Sequence, residues 1–247
     1  MQLHLNLPHA ALDSTVIVEA GHIYTSEQPG LEHRVGAEYG AQFSAFLQGA
    51  GARVQKWLFI DDYNPAIQGK PQSLDEAAYL AALSSQGFAP DSIVKESALV
   101  TEAIALLAQL QSSGHTRQTR EGKTALSKEG VLLYDASTGR HYCSLLDAAL
   151  YLRKLRGADA CVTVLDAQYR QQQKGTLTIL KKLGADTSTI APVFYSTPTA
   201  LLHPSVHPSQ VFAPGSLMQR IHWISEFFQV MGRAGAVYTL QEAHHAS

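Results

Sequence analysis

The chain has 247 residues, 45% hydrophobic and 16% charged, which suits one large α/β domain, alone or with a small appendage. Its formal charge of -2, from nineteen basic and twenty-one acidic side chains, excludes a protein whose overall charge drives nucleic-acid binding, but leaves room for a local basic patch that holds RNA. Two cysteines, Cys143 and Cys161, are too few for a disulfide framework and lack metal-ligand spacing, so a reduced cytoplasmic setting is expected.

The first fifteen residues, "MQLHLNLPHAALDST", carry no basic leader and no long apolar run, so no signal peptide is expected. No segment reaches the length needed to span a bilayer, and no membrane partner is expected. "TVIVEA" is a β-branched apolar run and predicts a central parallel strand ending at Glu19. Helical spacing predicts a helix from about His33 to Leu47, stopped by Gly49 and Gly51. "VQKWLFIDD" predicts the second strand, completing a βαβ unit with a right-handed crossover.

"SLDEAAYLAALSSQG" predicts a helix capped by Ser73 with acids in its first turn. "SALVTEAIALLAQLQSSG" predicts another, amphipathic one. From His115 to Glu129 the chain is polar and basic, expected as an exposed hairpin or a mobile loop. The strand "GVLLYD" follows, then a helix over "SLLDAALYLRKLRG", a strand over "ACVTVLD", a helix over "QYRQQQKGTLTILKKLG" and a strand over "APVFYS". A proline-rich loop and a closing helix are expected at about 197–235, with a frayed tail. The fold class expected is therefore α/β: a Rossmann-like parallel sheet with helices on both faces, in a single domain over 1–247.

In such a sheet, ligands bind beyond the carboxyl ends of the strands, where the strand order switches. Glu19, Asp61, Asp62 and Asp166 all stand at strand ends. Several acids converging on one edge favour a cationic ligand; singly, each is equally what a helix cap or a solvated strand end looks like. No metal is expected. His203 and His207 are four apart, but intervening prolines deny them a helical face and no third ligand is evident. "EGKT" near Gly122 lacks the upstream glycine and strand–helix context of a P-loop.

"VIVEAGHIYTSEQPGLEHRVGAEYGAQFSAFLQGAGARVQKWLFIDD" resembles the first half of the class I aminoacyl-tRNA synthetase nucleotide-binding fold, and most resembles arginyl-tRNA synthetase. Laid on that family without gaps, Glu19 takes its strand-end glutamate and His33 the second histidine of its His-x-Gly-His motif. Gly40 takes the glycine within the helix, and Gly51-Ala-Arg-Val54 the turn. "SIVKESALV" resembles the family's Glu-Ser before a helix. The stretch from "GRHYCSLLDAALYLRKLRG" to "KKLG" resembles its Tyr-x-x-x-Asp helix, the next strand, and the helix bearing a glutamine.

This resemblance implies a pocket for an arginine side chain, because a guanidinium's planar fork of donors is best met by carboxylates. It assigns that role to Glu19, Glu96 and Asp147. Gln168 is implied as a contact to the amino acid's α-groups. Tyr24 stands where the family has an asparagine, and Tyr142 lies one residue further from Asp147 than the family's tyrosine. Other features depart from the family. "GLEH" replaces His-x-Gly-His, Glu32 would repel phosphate, and "TPTALLHPSVHPS" has no lysine where the family has a Lys-Met-Ser-Lys-like loop.

A kept amino-acid pocket with lost ATP motifs resembles the cyclodipeptide synthases, which share the class I fold and use charged tRNA as an activated donor. The implied chemistry is acyl transfer between arginyl-tRNA and a second charged tRNA, with no cofactor. His33 is then the first candidate base and His22 the second, while Tyr142 or Ser144 is the candidate nucleophile. Arg117, Arg120, Lys123 and Lys128 in the polar loop, with Arg153 and Lys154 on a helix, are the candidate tRNA contacts; a solvated face has the same composition. Two other readings stay open: an ATP-dependent arginine-activating ligase, and a non-catalytic arginine- or tRNA-binding module.

Overall fold

The computed structural model describes residues 5–6, 14–49, 51–63, 73–195 and 239–240, and the structural statements below concern these. The expected loop and helix at 197–235 lie outside them. The main elements are β1 (Thr15–Glu19), β2 (Ile23–Tyr24), α1 (Leu31–Gly49), β3 (Arg53–Asp61), α2 (Glu76–Ser85) and β4 (Ser92–Lys95). A 3-10 turn, Glu96–Leu99, then leads into α3 (Val100–Ser112). After β5 (Thr116–Gln118), β6 (Lys123–Leu126), β7 (Leu132–Asp135) and β8 (Arg140–His141) comes α4 (Cys143–Leu155). The last elements are β9 (Ala160–Asp166), a 3-10 turn at Ala167–Tyr169, α5 (Arg170–Lys182) and β10 (Ile190–Tyr195). Leu5–Asn6 pairs separately with Thr239–Leu240.

The principal sheet is wholly parallel. β10 pairs β9, β9 pairs β1, β1 pairs β3, and β3 pairs β4. The chain order therefore reverses between β1 and β9, which is where the crevice of such a sheet opens. Val16, Ile17 and Val18 are all buried, as a central strand covered on both faces requires. One face packs against α1 and α2 through Val16, Val18, Val35, Phe43, Tyr79 and Leu83. The other packs against α3, α4 and α5 through Phe59, Leu107, Leu146, Cys161 and Ile179.

Between β1 and β2 the strand carries one residue too many. Glu19 lies opposite Trp57 and Ile23 opposite Ile60, so four steps on one strand match three on the other. Gly21 absorbs this bulge with a φ of 74°, a conformation glycine adopts without a Cβ clash. Tyr79 donates its hydroxyl to the Gly21 carbonyl at 2.6 Å and pins the bulge from α2. Side chains alternate faces along a strand, so one inserted residue inverts the alternation. Val16, Val18 and Ala20 face α1, and so does Ile23. His22 and Tyr24 thereby join Glu19 on the face toward α4.

The structure corrects the cap of α2, adds a strand that the sequence did not indicate, and shows the hairpin of the two alternatives expected after His115. The cap of α2 is Asp75, which accepts from the Ala78 amide at 3.0 Å; Ser73 instead donates its backbone N–H to Thr25. Ser92–Lys95 pairs with β3 as a strand whose pattern, one buried residue in four, carries too little signal to be read from the sequence. The polar stretch after His115 is an ordered hairpin. It belongs with "LLYD" to a separate antiparallel sheet of order β5-β6-β7-β8, so "LLYD" does not extend the parallel sheet. Ala125, Leu126 and Leu133 are buried despite the polar context.

Gly40 lets α1 approach the bulge. A Cβ built there would sit 2.4 Å from the Ala20 Cβ and 2.9 Å from the Phe88 ring, closer than real Cβ atoms come. Gly40→Ala is expected to destabilise the protein by about 1–3 kcal/mol, the usual range for overpacking. Gly49→Ala, where a Cβ meets nothing within 4 Å, is expected to be neutral or mildly stabilising. Urea unfolding of both variants is the check; equal stabilities would refute the close approach.

Candidate functional site

The face toward α4, beyond the strand ends, gathers ionisable side chains from six elements. Glu19, at the end of β1, is buried. The fully buried ammonium of Lys154 donates to its Oε2 and, at 3.3 Å, to the Thr163 hydroxyl on β9. The Tyr151 ring lies 4.5 Å from the same ammonium. Glu19 is therefore neutralised by the chain's own cation. Lys154 is sealed in the interior, which corrects its expected place on a tRNA-facing surface.

Toward the strand ends the balance reverses. Asp61, at the end of β3, meets His22 Nε2 at 3.0 Å through Oδ2. Burial alone would lower the His22 pKa, but Asp61, aided by Glu19 and Asp147, outweighs it and raises it to about 9. Glu96, in the turn after β4, is 0% exposed. Neither of its oxygens, nor Asp61 Oδ1, receives a hydrogen bond. The carboxyls of Asp61 and Asp147 are its charged neighbours. Burial and these neighbouring acids push Glu96 up to about 10.

Asp147 reaches the same place from α4, two turns before Lys154 on the same helix face. Its Oδ2 accepts from Gln172 at 2.8 Å and from the Thr176 hydroxyl at 3.3 Å, one turn apart on α5. Burial still raises it to about 7, against the lowering by Gln172. Asp62 fixes the Glu96 turn by accepting from the Ser97 amide at 2.7 Å and the Ser97 hydroxyl at 2.6 Å. The half-buried Tyr24, Cys143 and Tyr169 flank the acids. Burial raises the Tyr24 and Cys143 pKa values, and nearby acids add to both shifts. The His22 ring packs 5.3 Å from both Phe59 and Tyr169.

The structure thus brings together Tyr24, Glu96 and Asp147, with Glu19 beneath them. Asp61 and His22 complete the group; the sequence placed Asp61 at a strand end but gave no sign that the bulge turns His22 onto it. Gln168 is exposed, and the glutamine that reaches the acids is Gln172, one helical turn later. The candidate nucleophiles are engaged in other contacts. Ser144 donates to the Gln172 carbonyl at 3.3 Å and packs against Gly175. Tyr142, at the N-cap of α4, donates its backbone N–H to the Leu133 carbonyl at 2.9 Å and has the Lys123 ammonium as a neighbour. His33 accepts from the Gly30 amide at 2.9 Å through Nδ1 and lies 3.5 Å from Glu27 through Nε2, so both ring nitrogens serve the start of α1.

Of the candidate tRNA contacts, Arg117, Arg120 and Lys128 are exposed on or beside the β5–β6 hairpin. Lys123 is half-buried near Asp135. Arg153 is tied to Glu102 and donates to the Ala98 carbonyl at 2.9 Å. Among the described residues, no group of three His, Cys, Asp or Glu has metal-binding geometry, and no helix is long and apolar enough to cross a membrane.

No protein-family pattern and no curated protein sequence matches the chain. Among solved structures, it is similar to the arginyl-tRNA synthetase of Thermus thermophilus, at 15% identity and a TM-score of 0.56, over 84% of this chain and 53% of that one. The Plasmodium falciparum arginyl-tRNA synthetase gives 12% and 0.57, over 88% and 49%. A Campylobacter jejuni protein assigned as an arginyl-tRNA synthetase gives 13% and 0.58, over 82% and 61%. The chain therefore spans from 49% to 61% of the length of these structures. At such identities the likeness concerns the fold: a Rossmann-like parallel sheet of the class I synthetase type.

Removing one member of a buried ion pair leaves the other charge uncompensated, whereas removing both costs far less. Lys154→Met is expected to lower stability by about 3–5 kcal/mol, and Glu19→Gln added to it to restore most of that loss. A denaturation double-mutant cycle is the check; additive losses would mean that the two side chains do not pair.

Proposed function

We propose that the protein moves an arginyl group from arginyl-tRNA to the amine of a second aminoacyl-tRNA, ending in an arginine-containing cyclodipeptide. The observation that carries this reading is the convergence of Asp61, Glu96 and Asp147, all buried, with His22 the cation beside them. Buried carboxylate oxygens without donors, as both of Glu96 and one of Asp61 are among the described residues, are costly to ionise unless a ligand supplies the missing cation. The guanidinium of an arginyl side chain matches that need in charge and in donor number.

The seat for the cation is the Asp61–Glu96–Asp147 group and not Glu19, whose charge Lys154 already balances. An aminoacyl ester is already activated, so transfer needs no nucleotide. The incoming amine adds to the ester carbonyl, the ester C–O bond breaks, and the amine's proton leaves with the tRNA's terminal hydroxyl. The new dipeptide's free amine then attacks its own ester in the same way, closing the ring and freeing the second tRNA. Ser144 and His33 are occupied with structural contacts, which favours direct attack by the amine over a covalent protein intermediate. The exposed Arg117, Arg120 and Lys128 offer the phosphate contacts that a tRNA donor requires.

Incubation with arginyl-tRNA and a mixed aminoacyl-tRNA pool, followed by mass spectrometry, is expected to yield a diketopiperazine containing arginine. Arginine-dependent pyrophosphate exchange without that product would replace this reading with an ATP-dependent ligase. Arginine binding without turnover would replace it with a binding module. Glu96→Gln and Asp147→Asn are each expected to reduce arginyl selectivity at least tenfold, on the order of 1.4 kcal/mol for a lost charged contact. Replacing Arg117, Arg120 and Lys128 together by alanine is expected to weaken tRNA binding and flatten its salt dependence. An unchanged salt slope would remove the hairpin from the tRNA interface.

A further inference from the structure

We propose that the acid group is a proton-exchanging guanidinium site: a guanidinium enters by displacing the proton held on Glu96, releasing about one proton per cation bound. The inference rests on the cation-binding reading above but not on any particular reaction. Its basis is geometric. Glu96 is 0% and Asp61 2% exposed, and three carboxylate oxygens between them receive no hydrogen bond. Glu96 is buried beside the carboxyls of Asp61 and Asp147, and among the described residues no donor reaches its oxygens, so the ligand-free site keeps a proton on it.

β1 contributes Glu19, already balanced by Lys154 of α4. The bulge contributes His22, which bonds the other oxygen of Asp61, and β2 contributes Tyr24. α4 contributes Asp147 and Cys143, and the turn after β9 contributes Tyr169. With His22 protonated, one carboxylate is compensated; the remaining acids stay neutral only by holding protons. Near neutral pH Glu96 is protonated and Asp147 is close to half protonated, since their pKa values are raised to about 10 and about 7. An arriving cation favours the ionised form of both, and the protons leave to solvent.

Guanidinium suits this exchange better than ammonium. It delivers a plane of five N–H donors to oxygens on Asp61 and Glu96, and it sheds its weaker hydration more readily on burial. The rings of Tyr24, Phe59 and Tyr169 around His22 offer it flat surfaces.

Calorimetric titration of the intact protein with arginine, agmatine and lysine, each in phosphate and in Tris at pH 7.5, tests this. Arginine and agmatine are expected to bind with an enthalpy that shifts between the buffers by the heat of about one released proton, and Kd to fall about tenfold per pH unit between pH 7.5 and 8.5 and more steeply below pH 7, where Asp147 also gives up a proton. Lysine is expected to bind at least tenfold more weakly. Glu96→Gln, checked for an intact thermal transition, is expected to keep weakened binding and lose most of the buffer dependence. Guanidinium binding with no buffer dependence and a flat pH profile would overturn the exchange while leaving the cation site intact. Equal affinity for lysine would overturn the guanidinium preference. No heat with any of the three would overturn both this inference and the reading beneath it.

Discussion

One residue more on the first strand than on its neighbour, between Glu19 and Ile23, decides which side chains face α4. Without it, strict alternation would turn His22 and Tyr24 toward α1, into the packed layer of Phe43 and Tyr79. With it, His22 reaches Asp61 at 3.0 Å and Tyr24 stands beside them. Gly21 makes the bulge possible through its positive φ, the Tyr79 hydroxyl holds it in place, and Gly40 lets α1 close over it. Three residues with no ionisable side chain in the site, or none at all, thus position the ones that have them.

The electrostatics fall into two tiers. Below, Lys154 and Glu19 cancel within the interior, where an unpaired charge would be severely penalised. Above, the acids outnumber the cations, and the excess is met by protonation of Glu96 and Asp147. Groups whose pKa is raised on folding stabilise the fold at low pH and lose that contribution as pH rises through the folded value. The ligand-free protein therefore loses the Asp147 contribution between about pH 4 and 7, that of His22 between about 6.5 and 9, and that of Glu96 between about 4.5 and 10. A bound cation reverses the sense of that dependence for the two acids, because it stabilises their ionised forms. Such tension between fold and charge is common where a protein is built to receive a ligand.

Much of the architecture could be read from the sequence. β-branched runs and helical spacing located β1, α1, β3, α4, β9, α5 and β10 because each combines strong periodicity with a clear stop such as Gly49 or Gly184. What could not be read were consequences of register and of the third dimension. A one-residue bulge leaves no mark in a pattern as short as "VEAGHIY". Lys154 lies on a helix beside Arg153 and Arg156, and only packing reveals that it alone turns inward. Gln168 and Gln172 are one turn apart in "QYRQQQK", so the choice between them rests on where α5 begins. The hairpin was hard to separate from a loop because its buried residues, Ala125 and Leu126, sit among charges.

The central claim is that the seat for a ligand's cation lies among Asp61, Glu96 and Asp147, with Glu19 already taken by Lys154. A crystal structure of the protein grown with arginine tests it most directly. The account predicts guanidinium nitrogens within hydrogen-bonding distance of the Asp61 and Glu96 carboxylates, with the Lys154–Glu19 pair undisturbed. A guanidinium bound to Glu19 with Lys154 displaced, or arginine seated away from all three acids, would contradict it.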